Sequence, residues 1–314
     1  MRLLVTGGAG FIGSHTVERL VAAGHAVTVL DNFSGGKRDN LRHLSGEFEL
    51  LEGDVRDLVA VRKAAEGVDV ILHAAAIVSV ERSILQPLET HDVNVRGTLT
   101  VLEAARTARV RRVVLASSAA VYGDRGSEGP TAPRSPYGAE KAIAETYLRL
   151  YTQLHGLEGI ALRYFNVFGP RQDTRSPYAG VLAIFAERLR RGEPVEVHGD
   201  GEQSRDFVYV SDIADANLHA ATAPQASGHT LDIGRGTATS LNEALRELAS
   251  LTGRLPEIVR HPARRGDIRH SSAAIGPAHD VLGYAPKIGL REGLSRLLSA
   301  EPRPAAADVS AHLS

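Results

Sequence analysis

Arg2-Leu3-Leu4-Val5-Thr6-Gly7-Gly8-Ala9-Gly10-Phe11-Ile12-Gly13 is the stretch whose reading decides the fold. Residues 2–6 are a short apolar run, glycines recur up to position 13, and residues 14–23 are compatible with a helix. Strand, glycine turn and helix in that order are the context in which a glycine motif carries meaning. Glycine is needed where the turn is tight, where backbone must approach a pyrophosphate and where helix packs closely on strand; the helix N-terminus then offers N–H groups to the anion. A second apolar run, 26–30, ends in Asp31, about 20 residues beyond the glycines. An acidic side chain there accepts both ribose hydroxyls of NAD and repels a 2′-phosphate, so NAD is expected in preference to NADP. A glycine-rich turn with an unrelated strand-end aspartate is the weaker reading, because strand, spacing and acid occur together.

The alternation continues with a strand at 48–51, a helix at 57–65 and a buried strand at 68–72 that ends in His73-Ala74-Ala75-Ala76. Small residues after a strand let backbone approach a flat ligand, although an alanine run also favours helix. Asp54 is placed either to touch an adenine ring or to cap the helix that starts near Asp57. A long helix is expected over 87–108, carrying Asn94, and a strand over 112–116 delivers Ser117 and Ser118 at its carboxyl end. Ligands of open parallel sheets lie at that edge. After a strand at 159–163 the pattern weakens. Residues 164–171 read as loop, and helices near 181–190, 212–222 and 242–251 alternate with short strands and glycine turns.

The expected fold is α/β, a doubly wound parallel sheet of Rossmann type with a smaller mixed α/β lobe. Residues 1–165 form the NAD-binding domain, with some later segments returning to it. Residues 166–300 form mainly the substrate lobe, and 301–314 a flexible tail rich in Pro and Ala.

Tyr137-Gly138-Ala139-Glu140-Lys141 follows Ser135-Pro136, a natural N-cap and first helical residue. The tyrosine and lysine then share one helix face about 5.4 Å apart, and an ammonium beside a phenol lowers the pKa of the phenol from about 10. That is how a tyrosine becomes a base. Taken alone, an exposed Tyr and Lys that meet nothing is the commoner situation. On the same helix Ile143, Tyr147 and Leu150 form a second apolar face, to be covered by a subunit partner or by the rest of the chain.

Composition narrows the chemistry. A net charge of −1 gives no long-range attraction to nucleic acid or anionic membrane. No apolar run reaches the roughly 18 residues of a membrane span, and the N-terminus leads straight into the glycine motif, so a cytoplasmic enzyme is expected. With no cysteine there is no disulfide, thiolate nucleophile or thiolate-held zinc, and the histidines show no His-Glu-x-x-His pattern, so no metal is assigned.

Together these residues resemble the extended short-chain dehydrogenase/reductase family, and within it the nucleotide-sugar 4-epimerases of the UDP-glucose epimerase type. The resemblance is carried by 6–14, 31–38, Leu115-Ala116-Ser117-Ser118-Ala119-Ala120-Val121-Tyr122-Gly123, 137–141, 163–170, Ser204-Arg205-Asp206-Phe207 and 264–271, nearly the whole chain. It implies catalysis by Ser118, Tyr137 and Lys141, Tyr122-Gly123 favouring Ser118 over its neighbour Ser117. It implies NAD contacts from Gly7, Gly10, Phe11, Ile12, Gly13, Asp31 and Asn32, then from Asp54, Val55, Ala74, Ala75, Ala76 and Asn94, besides Tyr137 and Lys141. For the UDP-sugar it implies Ser118 and Tyr137 at the hexose, Asn166 at sugar or diphosphate, Arg205 and Arg264 at the diphosphate, Asp267 at the ribose and Ser271 beside the sugar C2. The arginines, Arg265 included, read equally well as surface residues from composition alone. A homodimer is implied too.

The implied reaction takes the proton from the sugar 4-hydroxyl to a tyrosinate while hydride leaves C4, lets the 4-ketose turn over, and returns hydride to the other face. Dehydratases of this resemblance carry Asp-Glu, and decarboxylases a Glu, where Ala119 and Ala120 stand here; methyl groups move no protons. Glucuronate 4-epimerases differ around Asn166 and 173–176, although Arg175 is present here, so a uronate substrate stays open as the weaker reading. Serine at 271 leaves room for an N-acetyl group, so UDP-GlcNAc and UDP-GalNAc are expected beside UDP-glucose and UDP-galactose. Two other readings stay open: an NAD-binding sensor without chemistry, which the presence of Ser118, Tyr137 and Lys141 opposes, and an NADPH-consuming 4-keto-sugar reductase, which Asp31 opposes.

Overall fold

A computed structural model describes residues 1–44, 46, 48–125, 127, 129–173, 180–263 and 268–300. The first strand, β1 (Arg2–Thr6), passes through the glycine turn into α1 (Phe11–Ala22). The helix starts three residues before the expected 14, because Gly10 takes an extended conformation and acts as the N-cap itself. There follow β2 (Ala26–Asp31), β3 (Phe48–Glu52), α2 (Leu58–Ala64) and β4 (Val70–His73). The last begins two residues later than expected, since Gly67 at φ 67° and a bond from the Val68 amide to the Ala65 carbonyl keep the chain turning.

The helix expected over 87–108 is three pieces: α4 (Pro87–His91), a wider π-helical turn over Asp92–Arg96, and α5 (Gly97–Thr107). A short α3 (Val80–Leu85), capped by the Ser79 hydroxyl, precedes them and had no clear signal in the sequence. Strand β5 (Arg112–Ser118) runs on through both serines, followed by 3₁₀ turns over Ala119–Arg125, the long α6 (Pro136–His155) and β6 (Glu158–Tyr164). Residues 166–168, expected in a loop, form β7 (Asn166–Phe168). The remainder is α7 (Val181–Arg191), β8 (Val195–His198), β9 (Ser204–Tyr209), α8 (Val210–Thr222), β10 (Thr230–Ile233), β11 (Ala238–Ser240), α9 (Leu241–Thr252), β12 (Ile258–His261), α10 (Gly276–Leu282) and α11 (Leu290–Ser299).

Seven strands form one parallel sheet in the order β10-β6-β5-β4-β1-β2-β3, the reversal beside β1 marking a doubly wound topology. Strand β10 comes from late in the chain and pairs with β6, Asp232 opposite Arg163. One face of the sheet packs Val17, Leu20 and the α8 residues Ile213 and Ala216; the other packs Val61, Val101, Leu102, Ala144 and Leu148. A separate core of Phe168, Phe185, Leu189, Phe207, Tyr209, Leu245 and Leu294 holds β7, β9, α7, α9 and α11 together. Helices on both faces leave the carboxyl edge of the sheet open, and the second core stands beside that edge. No helix among the described residues is long and apolar enough to cross a membrane.

Candidate active site

The glycine turn is closed by contacts that leave no room for a side chain. A Cβ on Gly13 would lie 2.1 Å from the Gly7 carbonyl oxygen, and one on Gly7, whose φ is +69°, would lie 2.7 Å from the backbone of Ala75. Turn and segment 74–76 therefore touch backbone to backbone. No side chain caps Gly10 and no acidic residue enters the first turn of α1, so the amides of Phe11, Ile12 and Gly13 keep the free donors that every helix start carries. A diphosphate fits there by charge and by geometry. Asp31 ends β2 with Oδ2 accepting from the Ala9 amide at 2.9 Å and Oδ1 from the Phe33 amide at 2.8 Å. Burial pushes its carboxyl up while the two amides draw it down. An ionised carboxylate has about four acceptor sites, so two remain for hydroxyl donors.

Asp54, Asn94 and Val55, also named for NAD, have contacts within the protein itself. Asp54 accepts from Arg56 Nε and Nη2 at 2.9 and 2.7 Å and from Asn32 Nδ2 at 2.9 Å, which holds its carboxyl well below the usual range. It does not cap α2; Asp57 does, accepting from the amides of Val59 and Ala60. Asn94 is buried, its Oδ1 accepting from the Ile77 amide at 2.8 Å and its Nδ2 donating to the Ile77 carbonyl at 3.1 Å and to Glu140 at 2.7 Å. Both amide hydrogens are thus taken. Val55 is a core side chain packed where a Cβ on Gly97 would come within 2.9 Å of it.

At the open edge, the two-residue repeat of β5 sends its serines to opposite sides. Ser117 is buried and donates to Glu145 at 2.5 Å, while Ser118 lines a cleft of about 210 Å³ together with Tyr137, Asn166, Arg205 and Ser271. The Ser118 oxygen accepts from the Ala120 amide at 3.1 Å, which leaves its own proton to point elsewhere. Helix α6 starts where expected: the Ser135 hydroxyl accepts from the Gly138 amide at 3.1 Å and Pro136 occupies the first turn. Gly138 is required here, because a Cβ would sit 2.5 Å from the Ala120 carbonyl oxygen and push the helix off the cleft.

Tyr137 and Lys141 share one face of α6, the Lys141 Nζ 5.9 Å from the centre of the Tyr137 ring. The ammonium donates to the Ala116 carbonyl at 2.8 Å. Their electrostatics differ from the expectation drawn from spacing. The Tyr137 phenol is pushed up to about 12, chiefly by burial, with the Ser118 hydroxyl drawing it down and Glu140 raising it further. Burial likewise lowers Lys141 to about 8, against the pull of Glu140 and Glu145. Desolvation dominates because both groups lie within the protein, and the ammonium is directed to a carbonyl rather than to the phenol oxygen.

Arg205 Nη1 donates to the carbonyls of Ser204 and Ile268 at 2.9 and 2.6 Å, and the Ser271 amide donates to the Ser204 carbonyl at 3.2 Å. Arg264, Arg265 and Asp267 lie outside the described residues. Reasoning from sequence did not name Tyr122, His270, Phe165 or Val80 as lining the cleft. Tyr122 stood inside the quoted serine motif, and its hydroxyl donates to Asp232 at 2.7 Å while accepting from Arg163 at 2.7 Å. Position 140, the residue before Lys141, was also passed over.

Comparison with known proteins agrees with this geometry. Residues 3–234 match the family described as NAD dependent epimerase/dehydratase. The UDP-glucose 4-epimerase of Mycolicibacterium smegmatis is 41% identical over 305 residues, covering 94% of this chain and 97% of that protein. The structure of a UDP-glucose 4-epimerase from Thermus thermophilus in complex with NAD superposes with a TM-score of 0.87 at 39% identity, covering 95% and 98% of the two chains. That of a UDP-N-acetylglucosamine 4-epimerase from Methanobrevibacter ruminantium, in complex with UDP-N-acetylmuramic acid, gives 0.90 at 35% identity, covering 95% and 96%. With the sheet, the glycine turn and the Ser118–Tyr137–Lys141 edge already in place, the chain belongs to the NAD dependent epimerase/dehydratase family.

Proposed function

We propose that this chain interconverts UDP-hexoses epimeric at C4, UDP-glucose with UDP-galactose and UDP-GlcNAc with UDP-GalNAc. One observation carries the reading: the cleft presents a phenol and a hydroxyl beside the methyl groups of Ala119 and Ala120, and no carboxylate lines it among the described residues. Elimination or decarboxylation asks for further acid–base groups; exchange of one proton at one hydroxyl does not.

NAD, when bound on the glycine turn, supplies a hydride acceptor that returns the hydride, and a positive charge near the phenol. The protein's share is the proton and the geometry. The Tyr137 oxygen takes the proton of the sugar 4-hydroxyl and gives it back, Ser118 donates a hydrogen bond to the same sugar oxygen, and Lys141 holds positive charge behind the pair. By the family resemblance Asn166 and Ser271 serve the hexose, Arg205 and Arg264 the diphosphate and Asp267 the ribose, so that residues 166–300 serve the nucleotide sugar and residues 1–165, joined by β10, the cofactor. The cleft is smaller than the roughly 300–1,000 Å³ of sites that enclose a whole drug-sized ligand, which suits the hexose end alone. The exposed stripe Ile143, Leu150 and Leu154 on α6 supports a homodimer formed on that face.

Purified protein given UDP-glucose, UDP-GlcNAc and dTDP-glucose in turn, without added reductant, tests the reading. Formation of the 4-epimers of the UDP-sugars is expected; a 4-keto-6-deoxy or decarboxylated product would refute it.

A further inference from the structure

Glu140 stands between the two reactive residues of α6 and is 3% exposed. Its Oε1 accepts from the Thr90 hydroxyl and its Oε2 from Asn94 Nδ2, both at 2.7 Å. Asn94 in turn clamps the Ile77 backbone, so the carboxylate ties α6 to the π-helical turn and to the segment that follows β4. Both direct partners are neutral. A buried carboxylate with neutral partners alone is costly, and anchoring two neutral donors requires only a neutral acceptor. The compensating charge is the adjacent Lys141, also buried and itself hydrogen-bonded to a carbonyl.

We propose that Glu140 is a positioning residue that anchors α6 and serves as the counter-charge of the Tyr137–Lys141 pair, a role that rests on the epimerase reading. The other charged groups around α6 are otherwise engaged. Glu145 holds Arg163 of β6 and Ser117 of β5. Asp92 pairs with Arg96 and Arg56, Glu103 of α5 with Arg106 and Tyr151, Arg82 of α3 with Glu89 of α4, and Arg134 with Asp124. Glu81 is solvent-exposed. His73, at the end of β4 between Thr6 and Thr98, is lowered to about 3 by burial and by Lys141, and so is neutral. Glu140 leads the influences that raise Lys141, and it also raises Tyr137.

Removal of this charge shifts both groups the same way. Each then holds its proton less tightly, so both limbs of the pair's macroscopic titration move to lower pH. Glu140→Gln is nearly isosteric and can be accommodated: its oxygen accepts from Asn94, and the Thr90 hydroxyl accepts from its amide while donating to the Pro87 carbonyl, already within 3.2 Å.

The test uses the full-length protein with NAD bound, in two readouts. The first is the pH dependence of kcat/KM for UDP-glucose. The second is phenolate absorbance against pH, from which the trace of a Tyr137→Phe background is subtracted, and which needs no turnover. In Glu140→Gln both limbs and the phenolate transition are expected to fall by about one pH unit, tenfold in proton affinity. Glu140→Asp, which keeps the charge and loosens the anchor, is expected to lose turnover while holding the wild-type pH position. An unmoved phenolate transition in the Gln variant, or an Asp variant displaced like it, overturns the proposal. If the wild type turns over no UDP-sugar, the epimerase reading falls, and the phenolate titration still decides the role of Glu140.

Discussion

Beneath the cleft, Glu145 and Arg163 form the most enclosed ion pair of the site, their side chains 9% and 15% exposed. Replacement of Glu145 by Gln breaks it asymmetrically. Arg163 Nε and Nη2 lie 2.9 and 2.7 Å from the two carboxylate oxygens, and the Ser117 hydroxyl is 2.5 Å from one of them. A glutamine keeps one acceptor and turns its NH₂ toward the other guanidinium nitrogen, donor against donor. Loss of one partner of a buried pair costs about 3–5 kcal/mol, because the remaining charge stays desolvated. Arg163 retains the Tyr122 hydroxyl at 2.7 Å and the Tyr122 ring at 4.7 Å, which places the expected loss near the lower end, about 3 kcal/mol. With a urea slope of about 3 kcal/mol/M, the unfolding midpoint falls by about 1 M. The assay is reversible urea unfolding followed by circular dichroism, on Glu145→Gln, Arg163→Met and the double variant Glu145→Gln/Arg163→Met. The double variant should be more stable than the sum of the single losses predicts. A single loss below about 1 kcal/mol, or strict additivity, would refute the claim that this pair is tightly coupled.

Other outcomes follow from the same contacts. Tyr137→Phe should lower turnover by about 10²–10⁴-fold while the purified protein keeps its NAD, measured by release on denaturation; retained activity would remove the proposed base. Gly13→Ala puts a methyl against the Gly7 carbonyl and should abolish NAD retention with a stability loss of about 1–3 kcal/mol; an NAD-loaded, fully stable variant would contradict the turn geometry. Ser271→Tyr should remove turnover of UDP-GlcNAc and spare UDP-glucose, and equal loss of both would argue that position 271 does not face the sugar C2. Light scattering should give twice the mass of the chain, with Leu150→Lys/Leu154→Glu giving the monomer; a monomeric wild type would end the dimer proposal.

The fold was legible where local pattern and tertiary demand coincide. Strand, glycine turn and acid-ended strand are found as read from residues 2–31, since steric closure at Gly7 and Gly13 leaves few alternatives. The start of α6 was legible for a similar reason, with Ser135 and Pro136 serving as cap and first turn. Strand β7 was not, because three residues between a glycine–proline turn and the sheet edge have too short a pattern to betray a strand that exists only by pairing with β9. The π-helical turn at 92–96 likewise leaves no periodic mark.

Among the candidate site residues, identity was easier to read than environment. Ser118 and Tyr137 were named from sequence and meet at one cleft. The direction of the Tyr137 shift was missed, because spacing reports the distance to Lys141 but not how deeply both are buried. Asn94 and Asp54 make hydrogen bonds within the protein that their sequence neighbours do not announce, buried Asn94 to Ile77 and Glu140 and half-buried Asp54 to Arg56 and Asn32. Such partners follow from the tertiary fold and not from the linear sequence. Glu140 was overlooked for the opposite reason, since a glutamate on a helix is usually solvated, and its burial follows only from the packing of α4 and the π-helical turn against α6.

The central claim is that one tyrosine, with NAD retained, moves a single proton at C4. The most direct measurement is to incubate the NAD-loaded protein with UDP-galactose, without added cofactor or reductant, and to follow products by NMR. UDP-glucose at an equilibrium mixture, with no net change in NAD redox state, is the result predicted. Accumulation of a 4-keto product, or a requirement for stoichiometric NADPH, would contradict it.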